Sequence, residues 1–242
     1  MVKYEERTYR EWVKHDDLIA VKVIEDETDL LVSGTTNLTE PARKSVYKYR
    51  KHLKDYIARD QKFLVTLEPM MVGQDAPEIV KDMARAGCFA GVGPMAAVAG
   101  AIAEFVAKDL LPLSDQLIIE NGGDIFIKSS TERFIGVYAG KSPFTGKIAL
   151  NISPEQTPIG VCTSSGTVGH SLSFGRADAV IILSKWTALA DAVATATGNI
   201  VKTEDDVQKA VDFAQSIKDV EGVVVILGSK IGIWGNIDIL KV

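Results

Sequence analysis

Three short polar stretches interrupt apolar sequence, and their residue types limit the chemistry open to them. In Glu120-Asn121-Gly122-Gly123-Asp124 the paired glycines let backbone N–H groups approach a ligand because no Cβ intervenes, while Asn121 and Asp124 can orient its organic part. The same residues also read as a plain hairpin turn, for which Asn-Gly is the strongest short signal. The second stretch runs from Gly160 to Ser171. It places the Cys162 thiol, the hydroxyls of Thr163, Ser164 and Ser165, Gly166 and the His170 imidazole on one glycine-punctuated segment suited to a phosphate or carboxylate. Cys162 is a candidate nucleophile or persulfide carrier, with His170 and nearby N–H donors favouring the thiolate. It is expected to be partly accessible with a lowered pKa. It equally fits a buried cysteine acting as a small hydrophobe, and His170 a hydrogen-bonded structural residue. In the third stretch Asp191 and Thr195 lie one helical turn apart on an alanine-rich face, two oxygens for a hard cation such as Mg²⁺. The alternative is that Asp191 caps or hydrogen-bonds a neighbouring segment. Because polar side chains are costly to bury alone, Asn121, Asp124, Ser165, His170, Asp191 and Thr195 are expected to converge on one cleft.

The elements that must hold these stretches alternate in type. Leu18 to Ile24 and Leu30 to Val32 read as an early hairpin about the Glu25-Asp26-Glu27 turn. Thr39 reads as the cap of a helix with Glu40 and Pro41 in its first turn, followed by Val46, Tyr49, Leu53, Tyr56 and Ile57 at helical spacing. Its lysine- and arginine-rich face reads as solvated surface, since the basic residues alternate with Asp55 and Asp60. Phe63 to Leu67 is strand-like, and Asp75 and Pro77 open a helix ending near Gly87. Met95 to Leu111 forms a helix so poor in side-chain bulk that it must be central and tightly packed. Further strands are expected at Leu117 to Ile119, Ile125 to Ile127, Phe134 to Val137, Ile148 to Ile152 and Val180 to Leu183, with helices at Lys185 to Thr197 and Thr203 to Ile217. Val223 to Leu227 and Ile231 to Trp234 make a hairpin, with Asn236 to Val242 a third strand. With no linker or repeat, residues 1–242 read as one α+β domain.

Composition narrows the partners. The net charge is −5, and Lys and Arg are scattered, which gives no broad positive field for a phosphate backbone and argues against nucleic acid. Cys88 to Ala103 is too short and glycine-rich to span a bilayer, and the charged amino terminus lacks a secretory core, so a cytoplasmic protein without membrane partners is expected. Two cysteines and three histidines make a metal site of soft or nitrogen ligands hard to assemble, so any metal would prefer oxygen.

Taken in order, the three stretches resemble the ApbE-like superfamily, whose best-known members are magnesium-dependent flavin transferases attaching FMN from FAD to a Thr or Ser of a partner protein. The likeness covers roughly residues 90 to 240. It rests on Gly122-Gly123-Asp124, Thr163-Ser164-Ser165-Gly166, His170 and Ala190-Asp191 with Thr195, which in that family line the flavin and metal site. It is closer still to a branch marked by Gly91-Val92-Gly93-Pro94-Met95-Ala96-Ala97-Val98-Ala99-Gly100 and the complete Cys162 to Ser171 loop. The resemblance implies an α+β, tunnelling-fold type of antiparallel sheet with packed helices, and FAD or FMN with Mg²⁺ as cofactors. It thus implies a small phosphorylated or anionic ligand and magnesium-dependent group transfer. Two departures are visible: Ser171-Leu172-Ser173 follows the histidine where transferases carry an Asp-Pro pair, and the central helix lacks the family's lysine near Ala96-Ala97. Relatives in the branch from methane-producing archaea are associated with sulfur insertion during homocysteine formation, which makes a persulfide role for Cys162 the rival function. A binding module without turnover is the third.

Overall fold

The structure, a computed structural model, describes residues 17–166 and 174–242. Its backbone is an eight-stranded antiparallel sheet in the order β1 (Ile19–Glu25), β2 (Thr28–Gly34), β3 (Leu117–Asn121), β4 (Asp124–Lys128), β7 (Ile159–Ser164), β8 (Ala179–Ser184), β9 (Val220–Leu227), β10 (Lys230–Gly235). A three-stranded sheet, β11 (Asp238–Lys241), β6 (Ile148–Ile152) and β5 (Arg133–Gly136), covers one face. Between them lies an apolar layer in which Ile125, Ile127, Ile159, Val161, Ile181 and Leu183 meet Ile135, Leu150 and Ile152. The opposite face carries α1 (Thr39–Arg59), α2 (Lys62–Val65), α3 (Glu78–Ala90), α4 (Val98–Leu110), α5 (Thr187–Ile200) and α6 (Asp206–Gln215) over a second core containing Ile119, Phe126, Cys162, Val180 and Ile182. This is the expected α+β class with antiparallel sheets and packed helices. Because successive side chains of a strand alternate between faces, each central strand serves both cores at once.

The thin helix lies where its composition requires. α4 is buried from Gly100 to Ala107, and a Cβ on Gly100 would stand 2.6 Å from the Thr187 carbonyl oxygen and 2.8 Å from Asp191 Cβ on α5. Close approach of the two backbones explains the run of Ala and Gly. The same crowding occurs at Gly160 of β7, whose Cβ would lie 2.6 Å from Thr187 Cα.

Several local expectations are corrected. Residues 63–67 are not a strand: α2 occupies Lys62–Val65, with Phe63 buried and Leu64 and Val65 exposed, a pattern that follows a helical turn. Thr39 does not cap α1; Asn37 Oδ1 accepts both its N–H at 3.0 Å and its hydroxyl at 2.8 Å. α3 runs past Gly87 to Ala90 and stops at Gly91, which takes the left-handed conformation (φ 73°) that terminates helices. Pro94–Ala97 forms a separate 3-10 turn before α4. β7 lies where a loop was expected. Finally, β11 pairs with β6 rather than with the β9–β10 hairpin.

Candidate functional site

The site is assembled at the junction of the β3–β4 turn, the end of β7 and the facing helices α4 and α5. In the turn, Asn121 pairs with Asp124, leaving Gly122 and Gly123 as a two-residue connection with φ of 69° and 110°, values that glycine alone adopts freely. Gly123 N–H donates to Glu120 Oε1 at 3.0 Å, and its carbonyl accepts from Thr163 N–H at 3.2 Å, which ties the turn to β7. The amide of Asn121, itself buried, donates to the Ala99 carbonyl at 3.1 Å. The next residue, Gly100, donates its N–H to Asp191 Oδ2 at 2.9 Å.

That last bond belongs to a reciprocal arrangement. Asp191, one turn into α5, closes the first turn of α4. Glu104 of α4 in turn accepts the N–H groups of Thr187 and Ala188, at 2.8 and 3.4 Å, in the first turn of α5. Lys108 pairs with the same Glu104 at 2.8 Å. Free N–H groups at a helix start attract carboxylates, and here each helix supplies the other's. The capping alternative raised for Asp191 therefore holds for one of its oxygens. Glu104, which aligns the helix bearing Asp191, was missed by the sequence reading. Its only local signal is an acid within the otherwise uncharged, alanine-rich run 96–107.

Asp124, in register with Cys162 of β7, faces the helices. It is buried at 7% exposure, and its Oδ1 has no hydrogen-bond partner among the described residues. Burial pushes its pKa well above the ordinary carboxylate range; the charge of Asp191 adds to this, while the Cys162 thiol and Thr163 backbone oppose it. Asp191 is pushed up to about 7, again chiefly by burial, against the favourable Gly100 and Ala99 N–H groups. Among the described residues, no basic side chain acts on either carboxylate.

Cys162 departs from expectation. It is fully buried, its Sγ–H donates to the Thr187 carbonyl at 3.4 Å, and burial with the fields of Asp124 and Asp191 raises its pKa well above a normal thiol's. The expected access and lowered pKa fail because Cys162 points from a central strand into the helix layer, between two carboxylates. Thr163, Ser164 and Ser165 are half-buried at the end of β7, and Ser164 Oγ approaches Gly198 of α5. Thr195 lies half-buried one turn beyond Asp191. Asn121, Gly122, Gly123, Asp124, Cys162, Thr163 and Asp191 are thus joined through bonds and fields, with Gly166 exposed at the rim. His170 lies outside the described residues. Among those residues no cluster of three or more His, Cys, Asp or Glu is placed to hold a metal.

The antiparallel sheet and its packed helices form an ApbE-like fold. The flavin transferase ApbE from Vibrio cholerae superposes with a TM-score of 0.60 over 90% of this chain and 96% of that one, at 11% identity. The ApbE protein from Thermotoga maritima gives 0.53 over 89% and 96%, at 13% identity. At these identities the likeness is one of fold. The family model described as AbpE bacteria matches residues 10–233, and the chain belongs to that family. A UPF0280 protein from Methanocaldococcus jannaschii is 42% identical over 222 residues, covering 89% of this chain and 90% of its own. One from Methanococcus aeolicus is 42% identical over 201 residues, with 81% of each covered.

Proposed function

We propose that the protein is a cytoplasmic flavin- or nucleotide-handling member of its superfamily, binding FAD, FMN or a related phosphorylated ligand together with Mg²⁺ for group transfer. The observation that carries this is the pair of carboxylates, buried Asp124 and half-buried Asp191, with no basic counter-charge among the described residues acting on them. Such a pocket repels a bare phosphate and calls for a cation. The donors suit Mg²⁺, which takes hard oxygens, few of them from protein, and completes its shell with water and phosphate oxygens. Asp191 and the Thr195 hydroxyl are the ligands named for it, and the unpartnered Asp124 Oδ1 is the kind of atom that a cation site leaves behind.

Within this reading the chain's own groups bind and orient. The exposed Gly122 and half-buried Gly123 offer backbone to the ligand without side-chain obstruction, while Asn121 fixes the Ala99 segment beneath it. Thr163, Ser164, Ser165 and Gly166 supply small donors at the open end of β7 for phosphate oxygens. The bound cation would neutralise phosphate charge and polarise a phosphoanhydride, making catalysis largely electrostatic positioning. The likeness in fold to the flavin transferase ApbE from Vibrio cholerae supports flavin as the first ligand to try. Isothermal titration with FAD and FMN tests this: binding is expected in Mg²⁺ and markedly weaker in EDTA. No heat and no flavin fluorescence change in either buffer would refute it.

The rival reading, sulfur transfer through Cys162 with His170, needs a thiol that reaches a donor. Full burial and a raised pKa weigh against it. Persulfide-specific tagging at Cys162 after treatment with a polysulfide, whose sulfane sulfur a thiolate takes as the shortened polysulfide leaves, would restore it. A binding module without turnover would lose affinity, with no accompanying loss of chemistry, in Asp191→Asn.

A further inference from the structure

The resemblance supplies Asp191 and Thr195 as cation ligands and leaves Asp124 to orient the organic part. Four acidic side chains line this region, and only Asp124, which meets the Cys162 thiol and the Thr163 backbone, keeps a buried oxygen with no partner among the described residues. Glu104 holds Thr187 and Ala188 N–H and Lys108; Glu120 holds Gly123 N–H; Asp191 gives one oxygen to Gly100 N–H. Asp124 is different. It is more than nine-tenths buried, yet Oδ1 meets no donor among the described residues. Leaving a carboxylate oxygen dry and unpartnered is costly, and a chain that keeps one has an external partner for it.

The position of Asp124 says which partner. Asp124 pairs across the sheet with Cys162, Cys162 contacts Thr187 at 3.4 Å, and Asp191 stands one turn further along the same helix. The carboxylate therefore shares the helix-facing side of the sheet with Cys162, where the charge of Asp191 reaches it. We propose that Asp124 is a second carboxylate ligand, joining Asp191 and Thr195 around one divalent cation, so that its free oxygen takes the metal and not the organic part of the ligand. This rests on the cation reading above. Two carboxylates with phosphate and water oxygens is the usual protein share of a Mg²⁺ shell.

Mn²⁺ alone, with no nucleotide, is the probe, followed by electron paramagnetic resonance and titration calorimetry on the full chain and on Asp124→Asn and Asp191→Asn. Asp124→Asn is expected to weaken Mn²⁺ by at least about tenfold, since even groups outside a metal's immediate ligands cost ten- to a hundredfold when removed. Thermal denaturation adds a readout that a packing role would not give. In EDTA, Asp124→Asn should melt at or above the wild type, because a desolvated and repelled charge has gone. In Mn²⁺ it should lack the wild type's gain in Tm. Should this amide not fold, Asp124→Ser carries the same expectation. Tight Mn²⁺ binding unchanged by Asp124→Asn, or a loss confined to FAD affinity, overturns the assignment while leaving the cation reading intact. A wild-type protein that binds no Mn²⁺ overturns both.

Discussion

Replacing Gly100 by alanine adds one methyl group at the tightest approach of α4 and α5, and the sign of its effect tests the packing described for them. In an unencumbered helix Gly→Ala stabilises by about 1 kcal/mol. Here the new Cβ would stand 2.6 Å from the Thr187 carbonyl oxygen, which is backbone and cannot swing aside. Reaching ordinary contact requires the helices to part by roughly 0.8 Å, and overpacking of that kind costs about 1–3 kcal/mol. Parting them also stretches the Gly100–Asp191 bond, a hydrogen bond to a carboxylate worth about 1.5–3 kcal/mol. The helical gain offsets part of this, leaving a net destabilisation of about 2 kcal/mol and a fall in Tm of about 4–8 °C for a chain of this size. Gly198 of α5 is the control, because its Cβ would find Ser164 Oγ at 3.7 Å and Val180 at 3.9 Å, both ordinary contacts. Gly198→Ala should hold or raise Tm. Differential scanning calorimetry in EDTA measures both, and a Gly100→Ala protein as stable as wild type would show the α4–α5 contact to be looser than described.

Glu104→Ala should destabilise by about 1.5–3 kcal/mol in urea denaturation, because Thr187 and Ala188 N–H lose a buried charged acceptor; an unchanged midpoint would refute the cap. The raised pKa of Asp191 means that the folded state holds its proton more tightly than the unfolded chain does. Its contribution is therefore full below the ordinary carboxylate range and is lost as pH rises towards about 7. In EDTA the slope of Tm between pH 5 and 7.5 should become less negative in Asp191→Asn, and an identical slope would remove the assignment. Iodoacetamide should label the half-buried Cys88 well before Cys162, as mass spectrometry of timed digests would show; Cys162 reacting first would contradict its burial.

The parts of this molecule legible in sequence are those whose local chemistry has one structural solution. The Gly122-Gly123 pair forecasts a turn needing positive φ, and the bulk-free run after Pro94 forecasts a helix squeezed between neighbours. β7 was hidden because both of its faces are buried. Ile159 and Val161 point to one core and Gly160, Cys162 and Ser164 to the other, so the alternation is large and small rather than apolar and polar. Its glycine and hydroxyls then read as loop. The pairing of β11 with β6 joins residues some ninety positions apart, such as Leu240 and Ala149, and nothing local encodes it. Of the site, residue types and the Asp191 helix were legible. The inward turn of Cys162 and the solitary Asp124 oxygen depend on which sheet face meets α5, a fact that exists only after folding.

The exchange of carboxylates between α4 and α5 has an evolutionary corollary. Asp191 is at once a ligand candidate and the closure of another helix's first turn, so a substitution there that leaves no acceptor removes structure and site together. Drift at this position is confined to residues that still accept from Gly100 N–H, whereas loss of Thr195 or Asp124 carries no such penalty. A lineage that abandons the pocket's chemistry would therefore be expected to keep its aspartate long after its neighbours have changed, so retention of Asp191 alone is a poor marker of a working site.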